Sequence, residues 1–223
     1  LTIGRAFAIQ GHCYDFYAGN NDIQRAGLPN DNAGEQIMLE NTSCLYNGPI
    51  KSSTETDVTM PDDFTKQASK GCIITIIDGK GKGQYRTVST FKKKVITVNE
   101  PWDIVPDSTS RVFLTKCFDN IAIHNNKMDC YSNYAEDPGA TTGVQAYGNI
   151  TNMFITGNEF KNMSYGLCIS PRYNAGKDSD QNFVNWSIVQ NNKIERCCIG
   201  IRYNMVVTNP LTGKIPGNLS IGV

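Results

Sequence analysis

Glu40, Tyr147 and Arg202 are the side chains of this 223-residue chain best suited to acid–base chemistry. Each falls at an outward place of a short Gly-led segment, in the pairs Met38 and Glu40, Gln145 and Tyr147, Cys168 and Ser170, Arg202 and Asn204. A carboxylate such as Glu40 acts as acid or base on a glycosidic bond. An arginine such as Arg202 neutralises a uronate carboxylate or takes a proton, and a tyrosine such as Tyr147 donates to the leaving oxygen. The competing reading makes all three ordinary solvent-facing strand residues. Gln145 and Arg172 are the candidate substrate-binding neighbours of this set.

Other positions carry weaker chemical signals. Trp102 stands near Asp103 and Asp107, an arrangement that suits a sugar-stacking platform or the core of a small sheet. Asp178 and Asp180 offer two hard oxygen ligands for Ca²⁺, but without a repeating D-x-D-x-D frame; a polar loop is the alternative, and no other cofactor is implied. His124 reads as an outward residue beside Thr156 and Gln190. The eight cysteines lack a C-x-x-C pair, which argues against structural zinc and leaves buried thiols or one or more bridges as the alternatives. Five N-x-S/T sequons, at Asn41, Asn149, Asn162, Asn185 and Asn218, are close to chance in a chain with 23 Asn.

Self-similarity shows how these residues are set along the chain. Phe16–Ile23, Ile121–Met128, Met153–Phe160 and Ser187–Ile194 align without gaps, each with Asn at the same place: Asn21, Asn126, Asn158 and Asn192. Eight residues after Asn158 comes Gly166-Leu-Cys-Ile169, and eight after Asn192 comes Gly200-Ile-Arg-Tyr203. The apolar residues alternate with period two in short runs punctuated by Asn and Gly. That pattern predicts strands of about three to five residues and tight turns, not helices. Repetition at 32 and 34 residues predicts a solenoid whose turns stack about 4.8 Å apart, with the Asn side chains forming a ladder. The inward rows are expected to be Ile23, Met128, Phe160 and Ile194, and separately Ile37, Val144, Leu167 and Ile201.

Composition agrees. Charges balance at 21 acidic and 21 basic side chains, so counterion release gives no drive toward nucleic acid. With 39% hydrophobic residues and no long apolar run, a membrane-spanning chain is not expected. Asn and Gly at this abundance disfavour an α-rich fold.

The V/I-x-x-N-x-I … G-I/L-x-I pattern, seen in Ile155–Ile169 and Val189–Tyr203, resembles the right-handed parallel β-helix of the pectin-lyase-like superfamily. The resemblance covers residues 1–47 and 117–223. Residues 48–116 fall outside the repeat and read as a small antiparallel β insert. Its Gly79-Lys-Gly-Lys-Gly-Gln-Tyr-Arg86 and Pro101-Trp … Pro106-Asp-Ser-Thr-Ser110 segments are similar to an insert in extracellular bacterial β-helix proteins. The expected fold is therefore all-β, a parallel β-helix solenoid with an antiparallel insert. The glycine-rich run lacks G-x-x-x-x-G-K-[ST] and reads as a hairpin turn.

The resemblance implies a secreted, extracellular or cell-surface protein acting on a polysaccharide as a lyase or glycoside hydrolase. The alternative is a non-catalytic carbohydrate-binding, adhesin or phage-fibre solenoid. Polysaccharide is the expected partner, with neither nucleic acid nor membrane. Asn218-Leu-Ser-Ile-Gly-Val223 looks like the start of a further repeat, so the sequence reads as part of a longer solenoid. Contacts with further chain, or end to end between copies, are expected there, with Ile221 and Val223 at an open end.

Overall fold

The computed structural model describes residues 5–24, 34–41, 44–66, 70–130, 141–170 and 184–203. Among them the chain is all-β, with no helix. The first strands are β1 (Phe7–Gln10), β2 (Cys13–Gly19), β3 (Asp22–Gln24) and β4 (Glu35–Asn41). A second group comprises β5 (Cys44–Pro49), β6 (Ser52–Ser53), β7 (Asp57–Thr59), β8 (Ile73–Asp78), β9 (Tyr85–Lys92), β10 (Val95–Val98) and β11 (Arg111–Thr115). The repeat resumes with β12 (Phe118–His124), β13 (Lys127–Asp129), β14 (Thr142–Gly148) and β15 (Ile150–Thr156). It continues through β16 (Glu159–Ser170), β17 (Val184–Gln190) and β18 (Lys193–Tyr203).

Two sheets are wholly parallel. One has the order β17-β15-β12-β2; the other runs β1-β4-β14-β16-β13-β3, with β18 also on β16. The second sheet curls, because β16 lies along β13 through Glu159–Lys161 and along β14 through Tyr165–Ser170. Between those stretches Asn162 takes a positive φ of 56°, and Arg196 does the same in β18 at 51°. The register joins each strand to its counterpart one repeat on. Ile23, Met128, Phe160 and Ile194 form one row, and Phe7, Ile37, Val144, Leu167 and Ile201 another. Both rows feed one core with Phe118, Ile121, Ile123, Ile150, Met153 and Ile155, except at Ile201, which was expected inward and is 51% exposed on β18.

The ladder asparagines stack at one corner. Asn21 Nδ2 donates to Asn126 Oδ1 at 2.8 Å, Asn126 to Asn158 at 2.9 Å and Asn158 to Asn192 at 3.0 Å. Each accepting oxygen also takes the backbone N–H of the asparagine before it in the ladder, at 2.9–3.1 Å. The left-handed backbone lies one residue earlier than the ladder position. Asn20, Asn125, Gly157 and Asn191 carry φ of 53–67°, so the ladder residue satisfies hydrogen bonds while its neighbour makes the turn.

Outside this corner the register alternates charge along the stack: Asp22, Lys127, Glu159, Lys193 in one row and Asp129, Lys161, Glu195 in the next. Lys161 and Lys193 both reach Glu195, at 3.3 and 2.7 Å. Such exposed pairs contribute little each, yet displacing any repeat by one place along the stack would set like charges together.

Strands β5 to β11 form a separate antiparallel sheet, ordered β5-β11-β8-β9-β10-β7-β6, over its own core of Val58, Met60, Ile74, Ile76, Val88, Ile96, Trp102, Val112 and Leu114. The motif residues hold its loops. Gln84 Nε2 donates to the carbonyls of Gly81 and Ile104 and its Oε1 accepts the Ile104 N–H. Arg86 donates to the Pro101 carbonyl and to Asp103. Gly79 has a φ of +78°, and a Cβ there would lie 2.2 Å from the Thr109 carbonyl oxygen, so glycine is required where the Pro106–Ser110 loop docks. The sugar-platform reading of Trp102 is corrected by this packing. The indole is 4% exposed with the Arg86 guanidinium 5.3 Å from its centroid, so no ring face is open to a sugar.

Candidate functional site

Strands β4, β14, β16 and β18 set the outward residues of the Gly-led segments side by side. Glu40 is the register partner of Gln10 and of Tyr147, and accepts a 3.0 Å bond from Gln10 Nε2. The next row runs Ala8, Met38, Gln145, Cys168, Arg202. Strands stack about 4.8 Å apart, so Glu40 and Tyr147 are immediate neighbours, whereas Arg202 lies three strands from Glu40. The arginine is held by Tyr165 of the neighbouring strand β16, whose hydroxyl accepts from Nη1 at 2.9 Å while its ring centroid lies 5.2 Å from the guanidinium.

Tyr165 reaches that face because β16 changes phase at the corner. A Cβ on Gly143 would meet Phe160 and one on Gly166 would meet Ile194, so these glycines point into the core. Their predecessors Thr142 and Tyr165 therefore share the outer face, in register with Glu35 and Ile199. The period-two pattern alone assigns Tyr165 to the wrong side.

Burial pushes the Tyr147 hydroxyl above its ordinary value, with Cys168 and Glu35 adding to the rise and Arg202 opposing it. At neutral pH it is a protonated donor. Glu35 is itself buried and paired with Arg5 at 2.9 Å. It stands five residues from Glu40 on one strand, about 16 Å along it, which exceeds the spacing of two glycosidase carboxylates.

The structure makes Glu40 and Tyr147 register neighbours and leaves the Tyr165-bound Arg202 three strands from Glu40. Gln145 does not serve as a substrate ligand: it is 3% exposed, and its Nε2 donates to the Cys168 carbonyl one repeat on, at 3.3 Å. Met38 and Cys168 in the same row are equally buried, which the outward assignment did not anticipate. Arg172, Asp178 and Asp180 lie outside the described residues, as do Asn204, Ile221 and Val223. Among the described residues no group of three or more His, Cys, Asp or Glu could hold a metal ion, and no helix is long and apolar enough to cross a membrane. Cys13, Cys117, Cys168 and Cys197 are free thiols.

A second polar cluster lies where the antiparallel sheet meets β12 and β15. Asn152 donates to Asp119 at 2.9 Å and accepts from the Tyr85 hydroxyl of β9 at 3.0 Å, while Asn120 donates to Asp15 at 2.6 Å. Asp15, Asn120 and Asn152 all have φ of 53–57°. They form a second line of left-handed residues that bend their strands. Burial, with Asp15 adding, raises the Asp119 carboxyl against the bonds from Asn152 and Asn120. A carboxyl raised on folding favours the folded state in its protonated form. That contribution is complete below the ordinary carboxylate range and is lost as pH climbs through the folded value. Asp119→Asn is therefore expected to raise the melting temperature at pH 7, with the gain disappearing near about pH 4. Thermal scans of both proteins across that range test it; an equal shift at both pH values contradicts it.

The sequence matches no protein-family model and no curated protein. Among solved structures, the tailspike protein gp49 of Pseudomonas phage LKA1 aligns at TM-score 0.39 and 10% identity, over 89% of this chain and 44% of that one. The tailspike gp61 of Pseudomonas phage phi297 aligns at 0.31 and 10%, over 92% and 41%. The Gp54 tailspike of Acinetobacter baumannii bacteriophage AP22, solved in complex with A. baumannii capsular saccharide, aligns at 0.27 and 10%, over 86% and 45%. The chain spans less than half the length of each of these three.

Proposed function

We propose that the repeats wind as a right-handed parallel β-helix, with residues 48–116 as an antiparallel insert, and that the Glu40 face acts on an extracellular uronate-containing polysaccharide by elimination. One observation supports this most: a carboxylate and a protonated tyrosine are register neighbours on a face that also carries an arginine. Glu40 takes the proton on the carbon next to a uronate carboxylate, the electron pair becomes the new C=C bond, the C–O bond to the leaving sugar breaks, and Tyr147 protonates the departing oxygen. Arg202, three strands from Glu40, holds the carboxylate of another uronate of the same polymer. Hydrolysis by a carboxylate pair is less well supported, because Glu35 is distant and ion-paired.

Incubation with pectic, algal and host glycans is expected to release unsaturated products, read by ultraviolet absorbance. Tyr147→Phe is expected to lower kcat by about 100-fold or more, with KM changed far less. New reducing ends without unsaturation turn the reading to hydrolysis, and no product from any polymer removes the catalytic reading. The burial of Met38, Gln145 and Cys168 in the middle of the face favours the second reading, a non-catalytic glycan-binding or fibre scaffold. That scaffold binds polymer without changing its length.

A further inference from the structure

The outer face of the sheet β2-β12-β15-β17 carries a row that neither the repeat nor the Glu40 site uses. Tyr17, Ala122, Phe154 and Ile188 are successive register partners. Tyr17 is 57% exposed, Phe154 37% and Ile188 45%, in a chain whose other strand-face apolar residues mostly enter a core. The row is bracketed by hydrogen-bonding side chains. His124, Thr156 and Gln190 lie on one side, in the row that begins at Gly19, and Asp15, Asn120 and Asn152 on the other. Tyr85 on Asn152 brings the antiparallel sheet up to that second edge.

The Tyr17 ring is held in place. Its hydroxyl is hydrogen-bonded to His124 Nε2, and the two rings meet edge to face at 4.8 Å. A Cβ on Gly19 would lie 2.4 Å from the Tyr17 hydroxyl, so the ring extends along its own strand over a glycine that leaves it room. An ordered aromatic loses little conformational freedom on meeting a ligand. Phe154 stands two strands away, about 10 Å, with the small Ala122 keeping the interval open.

We propose that this face is a second, non-catalytic polysaccharide-binding surface, on which sugar rings stack on Tyr17 and Phe154 while Asp15, Asn120, His124 and Gln190 meet their hydroxyls. Sugar rings are amphipathic, with apolar C–H faces and polar rims, and the rows repeat that pattern at the scale of a disaccharide. A second copy of the chain fits less well. A stable protein interface needs roughly 20–30 residues a side, and this apolar strip is three exposed side chains wide between polar rows. The surface shares no residue with the Glu40 face and does not require that face to be catalytic.

Native gels cast separately with polygalacturonate, alginate, xylan and dextran test the surface. At least one polymer is expected to retard the wild-type chain. The double variant Tyr17→Ala/Phe154→Ala, folded by its melting curve, is expected to bind at least about tenfold more weakly. Phe154→Trp is expected to keep or strengthen retardation. Unchanged retardation of the double variant overturns the proposal, as does absence of retardation in all four polymers. A sedimentation result in which the wild type is oligomeric and the double variant monomeric also overturns it, making the strip a protein interface. Product release by wild type and Tyr147→Phe reads the other face separately, so either reading can fail alone.

Discussion

Replacing Asn158 by alanine is expected to cost about 3–5 kcal/mol of folding stability, which for a chain of this size lowers the melting temperature by roughly 10–15 °C. Asn158 is fully buried. Its Oδ1 accepts the backbone N–H and the Nδ2 of Asn126, and its Nδ2 donates to the carbonyls of Ile123 and Thr156 and to Asn192 Oδ1. Alanine leaves a buried backbone N–H, an amide and carbonyls short of partners, and each such group costs about 1–3 kcal/mol. The effect is cooperative along the ladder, because Asn126 loses the acceptor that orients its own amide toward Ala18. Asn192→Ala is expected to cost less, since Asn192 is only partly buried. Urea titrations of both variants measure the difference. Equal costs would mean that the ladder bonds are exchanged for water at every level alike.

The ladder was legible in the sequence because a side-chain amide that bonds its own copy one repeat away must recur at a fixed offset. The inward rows were legible for the same reason: Ile23, Met128, Phe160 and Ile194 are forced to coincide once the asparagines do. What escaped is whatever the backbone does between those anchors. The left-handed turn falls to Asn20, Asn125 and Asn191, one residue before the ladder asparagines and of the same type, so residue identity alone does not separate the two roles. The corner at Asn162–Gly166 carries no proline, deletion or change in length, so strict alternation carried through it would place Tyr165 inside, whereas the structure turns it outward. The shared glycine at 143, 166 and 200 was the available signal.

The same distinction governs the site. Glu40 and Tyr147 could be paired from repeat arithmetic, because register in a stacked sheet is a matter of offsets. Burial of Met38, Gln145 and Cys168 could not, since exposure of an outward residue depends on what lies over the face and not on its own strand. Trp102 shows the converse: flanking carboxylates suggested a ligand platform, and Arg86, sixteen residues earlier, covers the ring instead. The Tyr17 row was divided among four aligned segments whose outward positions hold Tyr, Ala, Phe and Ile, and only the strand register makes them one surface.

The corner beneath the Glu40 face gives the second large effect. Phe160 is fully buried and occupies the space that a side chain on Gly143 would need: a Cβ there would lie 2.4 Å from Phe160 Cδ1 and 2.6 Å from the Gly166 carbonyl oxygen. Phe160→Ala is expected to cost about 3–5 kcal/mol through lost burial and the cavity left behind. Gly143→Ala is expected to cost about 1–3 kcal/mol by overpacking, because the Gly166 carbonyl belongs to the next strand of the stack and cannot rotate away. The double variant is expected to cost less than the sum by about 1 kcal/mol or more, since truncating Phe160 removes one of the two clashes. Denaturant midpoints for the four proteins of the cycle measure that coupling. Strict additivity would show that Gly143 is kept small by the Gly166 carbonyl alone, and that Phe160 settles independently of the glycine row that turns β14 and β16 toward the site.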